Sequence, residues 1–293
     1  MPTIRQLKRR ITSVQNTAKI TNALQLVAAS KMRRAQDRAT EGRPYADKIQ
    51  SVLASLASAG ENVDDESKHS FLVQRPVENI GVLHITPDRG LCGALNSNLN
   101  REAAEFVADL SEPVSIVTVG KKGRDFFSRS ETNISAEFTE IGDYPALAQT
   151  QTIAKIVMED YLNGAVDKVY ISFGEFINTV NQQPIVKQLL PVIPPDSTND
   201  EATESLQQEY IFEPNPLLVY ERLLPRYVIM QVHAAILESA ASEQSARMVA
   251  MKNATDNASD IESELTLTYN KVRQEQITSD LLAIVGGAEA LLK

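Results

Sequence analysis

The residues best equipped for chemistry lie in DRGLCGALN, residues 88–96, which holds the single cysteine, Cys92. The stretch follows an apolar run, VENIGVLHIT (77–86), and precedes an amphipathic one, LNREAAEFVADL (99–110). α/β proteins place phosphate sites at such strand-to-helix turns. Gly90 and Gly93, however, form neither a dinucleotide fingerprint nor a P-loop, and no Lys follows to meet a phosphate. The stretch reads instead as a tight turn whose glycines permit unusual backbone angles. Cys92 as a nucleophile requires a base, and His84 is the nearest in sequence. VGKKG (119–123) offers two lysines at a second turn, to an anion or simply to solvent. Asp64, Asp65 and Glu66 fall in a polar loop, unsuited to preorganised acid–base work. His69, His84 and His233 are far apart, and one cysteine excludes an internal disulfide or a Cys-based zinc site. The expectation is a chain with no catalytic residue, metal or cofactor of its own.

The elements that carry these turns form an α/β pattern. VENIGVLHIT and EPVSIVTVG (112–120) are strand-like, with the 99–110 helix between them. NISAEFTE (133–140) reads as a third strand and residues 146–164 as a helix closed by Gly164. Residues 167–177 and 184–192 flank NTVNQQ as the arms of a hairpin. Strand–helix alternation predicts a small, Rossmann-like, largely parallel α/β domain with an antiparallel edge, over residues 75–195.

Long helices bracket this domain. Ile4, Leu7, Ile11, Val14, Ala18 and Thr21 step by three and four, and Gln25, Ala28, Met32 and Ala35 keep the register, with a second stripe at Ile20, Leu24 and Val27. The spacing predicts one helix within residues 1–60, interrupted at Pro44. In the C-terminal part, residues 209–293, Met251, Ala254, Ala258, Ile261, Leu265, Thr268 and Val272 form a second seam, continued after a shift by Ile277, Leu281, Ile284 and Ala288. Helices this long cannot be wrapped inside a domain of about 120 residues. They are expected to pair as an antiparallel coiled coil projecting from the α/β body. SEQSARMVAMKNATDNASD (242–260) is nearly all small or polar, which suits close backbone approach in that seam.

Apolar content of 43% and charged content of 23% are those of a soluble globular chain. No apolar run reaches the roughly 18–20 residues of a membrane span, and no secretory signal is read at the start. Net charge is −9, yet residues 1–50 hold eleven Lys and Arg against three acids, leaving −17 for the rest. A basic arm on an acidic body points to an anionic partner, nucleic acid or an acidic protein surface.

ITSVQNTAKITNALQLVAASKMRRAQ (11–36), DRGLCGALN, SEQSARMVAMKNATDNA (242–258), YNKVRQEQIT (269–278) and IVGGAEAL (284–291) together resemble the gamma-subunit family of F-type ATP synthases, in order along the whole chain. The resemblance implies a non-catalytic rotor. Its terminal helices would stand inside a ring of three alpha and three beta subunits, which hold the nucleotide sites. Its α/β domain would sit outside with the epsilon subunit on the membrane c-ring. The chain would then be a peripheral component at the cytoplasmic side of a bacterial cell membrane, and nucleic acid would not be a partner. Interface residues carried over from the family are Arg247, Arg273, Gln274 and Thr278, with Arg33 and Arg34 facing an acidic lever of the beta subunit. Tyr210 and Glu213, in EYIFEP (209–214), correspond to the segment near the c-ring and epsilon.

Departures from the family pattern are Pro225, which should start or bend the C-terminal helix near Tyr227, and Asn22 and Leu24 where some relatives carry Lys and Met. The cysteine-pair insertion of the redox-regulated chloroplast branch is absent. Two rival readings remain: an arm that grips nucleic acid, with steep salt dependence, and a flavodoxin-like enzyme with helical arms.

Overall fold

The computed structural model describes residues 3–59, 70–130, 132–193 and 216–291. Tyr210 and Glu213 lie outside these residues. The chain divides into two compact units, Met1–Ala28 with Arg247–Lys293, and Ala29–Ala246.

The second unit is built on a five-stranded sheet. Its strands are β1 (Ile80–Ile85), β2 (Val114–Val119), β3 (Asn133–Phe138), β4 (Lys168–Phe176) and β5 (Gln182–Leu190). Their order is β3-β2-β1-β4-β5, with β5 alone antiparallel, against β4. The connecting helices are α2 (Leu95–Ala108), α3 (Lys121–Phe127) and α4 (Leu147–Leu162). The central strand β1 is buried at every position, as a strand covered on both faces must be.

Alternation along β1 assigns the two faces. Ile80 and Val82 pack with Ala103 of α2 and Phe127 of α3. Leu83 and Ile85 join the larger core with Ile153 and Val157 of α4, and with Ile49 of helix α1 (Ile4–Ala59). Leu224, Val228 and Val232 of helix α5 (Pro216–Leu291) complete that core.

This packing answers the question raised by Pro225. The helix neither begins beside Tyr227 nor stops at Pro225; it is assigned as α-helix from Pro216 onward, with Pro225 inside. An interior Pro costs about 3 kcal/mol. Leu224, Val228 and Val232 are each fully buried along one face. At about 1.5–3 kcal/mol apiece, their burial outweighs that cost. Pro44 is likewise accommodated inside α1.

The first unit is the pairing of residues 4–28 of α1 with the α5 residues from 247 onward. The helix α1 starts with a capping box: the Gln6 backbone N–H donates to Thr3 Oγ1, and Thr3 N–H donates to Gln6 Oε1. The heptad seam read from sequence is the face that packs: Leu7, Thr21 and Ala28 are buried, and Ile4, Ile11, Val14, Ala18 and Gln25 are half-buried. In the second unit Met32 and Ala35 continue that face.

One polar cluster lies inside the sheet core. His84 points from β1 toward α2 and is completely buried. Its Nδ1 meets Ser172 Oγ at 3.1 Å and its Nε2 meets Asn100 Oδ1 at 3.0 Å. Asn100 uses its amide nitrogen on the Lys122 carbonyl, so its oxygen accepts and His84 carries its proton on Nε2. The neutral ring is then satisfied, edge-on to Phe127, and burial lowers its pKa from 6.5 to about 4. Between those values the unfolded chain binds the extra proton and the folded chain does not. Stability from this site is therefore full above about pH 6.5 and is lost as pH falls toward 4. The loss is on the order of 3 kcal/mol. Urea unfolding of wild type and His84→Gln across pH 4–7 should show the gap between them narrowing by that order toward pH 4; parallel profiles would contradict it.

Candidate subunit interface

The two turns with chemical potential are used for construction. Asp88 accepts the Lys121 backbone N–H on Oδ1 and the Glu140 backbone N–H on Oδ2, both at 3.0 Å. One carboxylate thus ties together the chain just past β1, β2 and β3. Cys92 is buried with Leu95, Leu99 and Ala246. Both ring nitrogens of His84 are engaged elsewhere, so that base is not available to Cys92.

The glycines of VGKKG are required by packing. Gly120 has φ of 100°, and a Cβ there would stand 1.9 Å from the Thr86 carbonyl oxygen. A Cβ on Gly123 would stand 2.7 Å from the His84 ring. Lys121 pairs with Glu140 at 2.7 Å. Among the described residues, no group of three or more His, Cys, Asp or Glu could hold a metal ion.

The small residues of 242–246 have a structural use that periodicity did not reveal. Ser242 and Ser245 are completely buried and Gln244 nearly so. Ser242 Oγ donates to the Gly174 carbonyl on β4 at 2.9 Å, and Ser245 Oγ donates to the Thr179 carbonyl in the hairpin at 2.8 Å. Gln244 Nε2 donates to Asp143 Oδ1 at 2.6 Å. This end of the segment is a polar dock onto the sheet.

Within the first unit the pairing is fixed by polar contacts. Thr21 Oγ1 meets Thr255 Oγ1 at 2.7 Å, and Gln15 Nε2 donates to Glu262 Oε1 at 2.7 Å. Moving back six residues on α1 moves forward seven on α5, so the helices are antiparallel. Burial on α5 follows Met251, Thr255, Ala258, Glu262, Leu265, Tyr269 and Val272. That corrects the expected seam at two places: Ile261 and Thr268 are exposed, and Glu262 and Tyr269 hold the positions. At Glu262 a polar pair with Gln15 occupies the seam site, which residue type along one helix does not signal. The second α1 stripe is largely outward, with Ile20 and Val27 exposed.

The same offset puts Ile4 level with about residue 273. From Arg273 to Gly286 every side chain is exposed. The expected continuation through Ile277, Leu281, Ile284 and Ala288 is therefore not a seam with α1, since α1 has ended. It is an overhang of about 28 Å at 1.5 Å per residue. Its exposed apolar side chains are Ile277, Leu281, Leu282, Ile284 and Val285.

The interface residues read from sequence fall in both units. Arg33 and Arg34 are exposed on α1 in the second unit. Arg247 is half-buried on α5, in line with Met251. Arg273, Gln274 and Thr278 are exposed at the start of the overhang, where Thr278 Oγ1 donates to the Gln274 carbonyl at 2.9 Å. Arg247 and Gln274 are 27 residues apart on one helix, about 40 Å. They lie at two separate levels of the helix. Asp143, Lys31, Gln15 and Glu262 did not emerge from the sequence: a loop acid has no periodicity, and polar residues at a seam read as interruptions. No described helix is long and apolar enough to cross a membrane.

Comparison with known proteins covers the whole chain. A family model described as ATP synthase matches residues 3–291. The ATP synthase gamma chain of a Dehalococcoides mccartyi strain is 51% identical over 291 residues, covering 99% of this chain and 100% of that one. The gamma chain of Legionella pneumophila strain Paris is 43% identical over 290 residues, covering 98% and 99%. A chain from the Tetrahymena thermophila mitochondrial ATP synthase central stalk and c-ring structure aligns with TM-score 0.61 at 26% identity, over 80% of this chain and 99% of that one. A chain from the Euglena gracilis mitochondrial ATP synthase structure of OSCP, F1 and c-ring has TM-score 0.68 over 98% and 94%; at 20% identity this is a likeness of fold.

The dock at 242–246 generates a direct test. Ser242→Leu would overfill a completely buried site and remove the bond to Gly174. A loss of about 2–4 kcal/mol is expected in chemical denaturation. Asn253→Leu, at an exposed position of the same helix, should stay within about 0.5 kcal/mol.

Proposed function

We propose, because the chain belongs to the gamma-chain family of ATP synthases, that it is the rotating shaft that couples ion flow through a membrane c-ring to ATP synthesis and hydrolysis. Chemistry takes place in trans, on three alpha and three beta subunits around the helices. The α/β domain, residues 75–195, takes the epsilon subunit and the c-ring at the membrane surface. The segments 1–60 and 209–293 supply the shaft, and Tyr210 and Glu213 face the c-ring and epsilon.

The observation that carries this reading is the overhang of α5. A bare helix end bearing Ile277, Leu281, Leu282, Ile284 and Val285, exposed by 50–68%, gains little from standing in water. It fits a socket supplied by other chains. The exposed face also carries polar side chains: Arg273, Gln274 and Thr278 at the start of the overhang, and Asn253 and Asp256 earlier on the helix. Such a face makes brief, breakable contacts as successive partners pass. Arg33 and Arg34, exposed beside other basic residues of α1, suit an acidic lever on the beta subunit. A coupling element acts only through unequal contacts with the partner's states. Arg247 and Gln274, at two levels, supply such contacts.

Co-expression with alpha and beta subunits should yield a stoichiometric complex that hydrolyses ATP, and the chain alone should show no hydrolysis. A chain that does not co-purify with them overturns the reading. Arg247→Ala with Gln274→Ala should lower ion-driven synthesis or assembly several-fold, a larger effect than on the thermal unfolding of the chain. Unchanged synthesis in that double variant would remove both residues from the interface.

A further inference from the structure

The loop between β3 and α4 is held by contacts from the end of the sheet and from two helices. It leaves β3 through Glu140, which has φ of 62°, and Gly142, at 80°. Left-handed residues of this kind are tolerated where surrounding contacts fix the chain. The base of the loop is anchored by Asp88, whose carboxylate accepts the Glu140 N–H. Its tip presents Asp143 to two helices at once. Lys31 Nζ of α1 donates to Asp143 Oδ2 at 2.7 Å, and Gln244 Nε2 of α5 donates to Oδ1 at 2.6 Å. The next residue, Tyr144, lies under the Arg38 guanidinium at 4.7 Å. Lys31 and Arg38 are seven residues apart and share one face of α1, so the loop grips α1 at two successive levels.

We propose that Asp143 is a positioning residue that sets the rotational phase of α1 and α5 against the sheet and passes torque between them. This rests on the rotor reading above. Apolar packing against the sheet, through Val228, Val232 and Ala246, resists separation but is non-directional. It tolerates a small roll of either helix about its own axis. A single carboxylate that receives one charge-assisted bond from each helix does not. A roll of either helix that moves its donor by about 1 Å takes that bond out of hydrogen-bond range. The chain of contacts is continuous: the ends of β1, β2 and β3 to Asp88, then Glu140, then Asp143, then both helices. A polar recess of about 410 Å³, lined by Asp88, Arg89, Lys121, Glu140, Asp143 and Glu243, lies beside the loop. At that level the bridging is therefore done by specific polar bonds.

The test uses the assembled, membrane-reconstituted complex. Asp143→Asn keeps shape and one amide partner but removes the charge that holds Lys31. ATP hydrolysis and ATP-driven ion pumping are measured on the same vesicles. Expected is a fall of at least twofold in ions moved per ATP hydrolysed, with hydrolysis itself retained. The exchange Lys31→Glu with Asp143→Lys, which rebuilds the pair with reversed charges, should restore the ratio. A merely structural role would lower hydrolysis and pumping together and leave the ratio unchanged. An unchanged ratio in Asp143→Asn, or an exchange variant that assembles yet does not recover, overturns the proposal. Failure of the wild-type chain to enter a complex with alpha and beta subunits would instead remove the rotor reading itself, a separate result.

Discussion

Everything in this molecule depends on how closely one helix, α5, can be approached. At Ser242 and Ser245 it presents small side chains to a sheet strand and its hairpin, close enough for hydroxyl groups to bond backbone carbonyls. From Met251 to Val272 it presents a seam of Met, Thr, Ala, Glu, Leu, Tyr and Val to an antiparallel neighbour. A large apolar side chain at Ser242 or Ser245 would push the backbone away from Gly174 and Thr179 and forfeit both bonds. Small side chains bury less area, at about 25 cal/mol per Å², and the deficit is offset by directional polar contacts: Ser242 and Ser245 on the sheet, Thr21 with Thr255, Gln15 with Glu262. Such contacts fix register as well as separation. A one-residue slip costs each of them outright, because a buried donor or acceptor left unpaired costs about 1–3 kcal/mol.

The same economy explains where the chain's chemically capable residues went. Asp88, Cys92, His84 and the glycines at 120 and 123 sit at the carboxyl ends of parallel strands, where an α/β protein commonly holds a ligand. Each is occupied. The Asp88 carboxylate caps two backbone N–H groups, the His84 ring is closed between Ser172 and Asn100, and Gly120 and Gly123 give up side chains so that α3 can lie on Thr86 and His84. Cys92 is a small apolar contact for Ala246 of α5. The end of the sheet that would bind a nucleotide is instead devoted to binding α5 and to carrying the Asp143 loop.

The legibility of the sequence divides along the same line. The α1 seam was readable because Leu7, Thr21, Ala28 and Ala35 recur at heptad spacing and burial follows that spacing. The strands were readable because β1 and β2 are short runs rich in Val and Ile and a polar turn separates β4 from β5. The α5 seam was readable only in part. Ile261 and Thr268 fit the repeat but are exposed, whereas Glu262 and Tyr269 hold the positions; for Glu262 the reason is a partner, Gln15, that no single-helix pattern can show. Pro225 looked like a boundary because local propensity opposes helix there, and burial of Leu224, Val228 and Val232 overrides it. The Asp143 contacts had no sequence signal at all: they join residues 31, 143 and 244, which only the fold brings together.

Where burial stops on α5 is as informative as where it occurs. The pairing offset between Thr21–Thr255 and Gln15–Glu262 requires α1 to run out near residue 273, and exposure begins at Arg273. The residues beyond it alternate between polar ones and the large apolar Ile277, Leu281, Leu282, Ile284 and Val285. In an isolated helix that composition is a liability, because about 28 Å of it is unpaired. A fold that places its polar interface candidates, Arg273, Gln274 and Thr278, at the point where its own partner helix ends, and its apolar ones just past it, is arranged for other chains to complete. The length of α1 therefore fixes where α5 becomes exposed on every side.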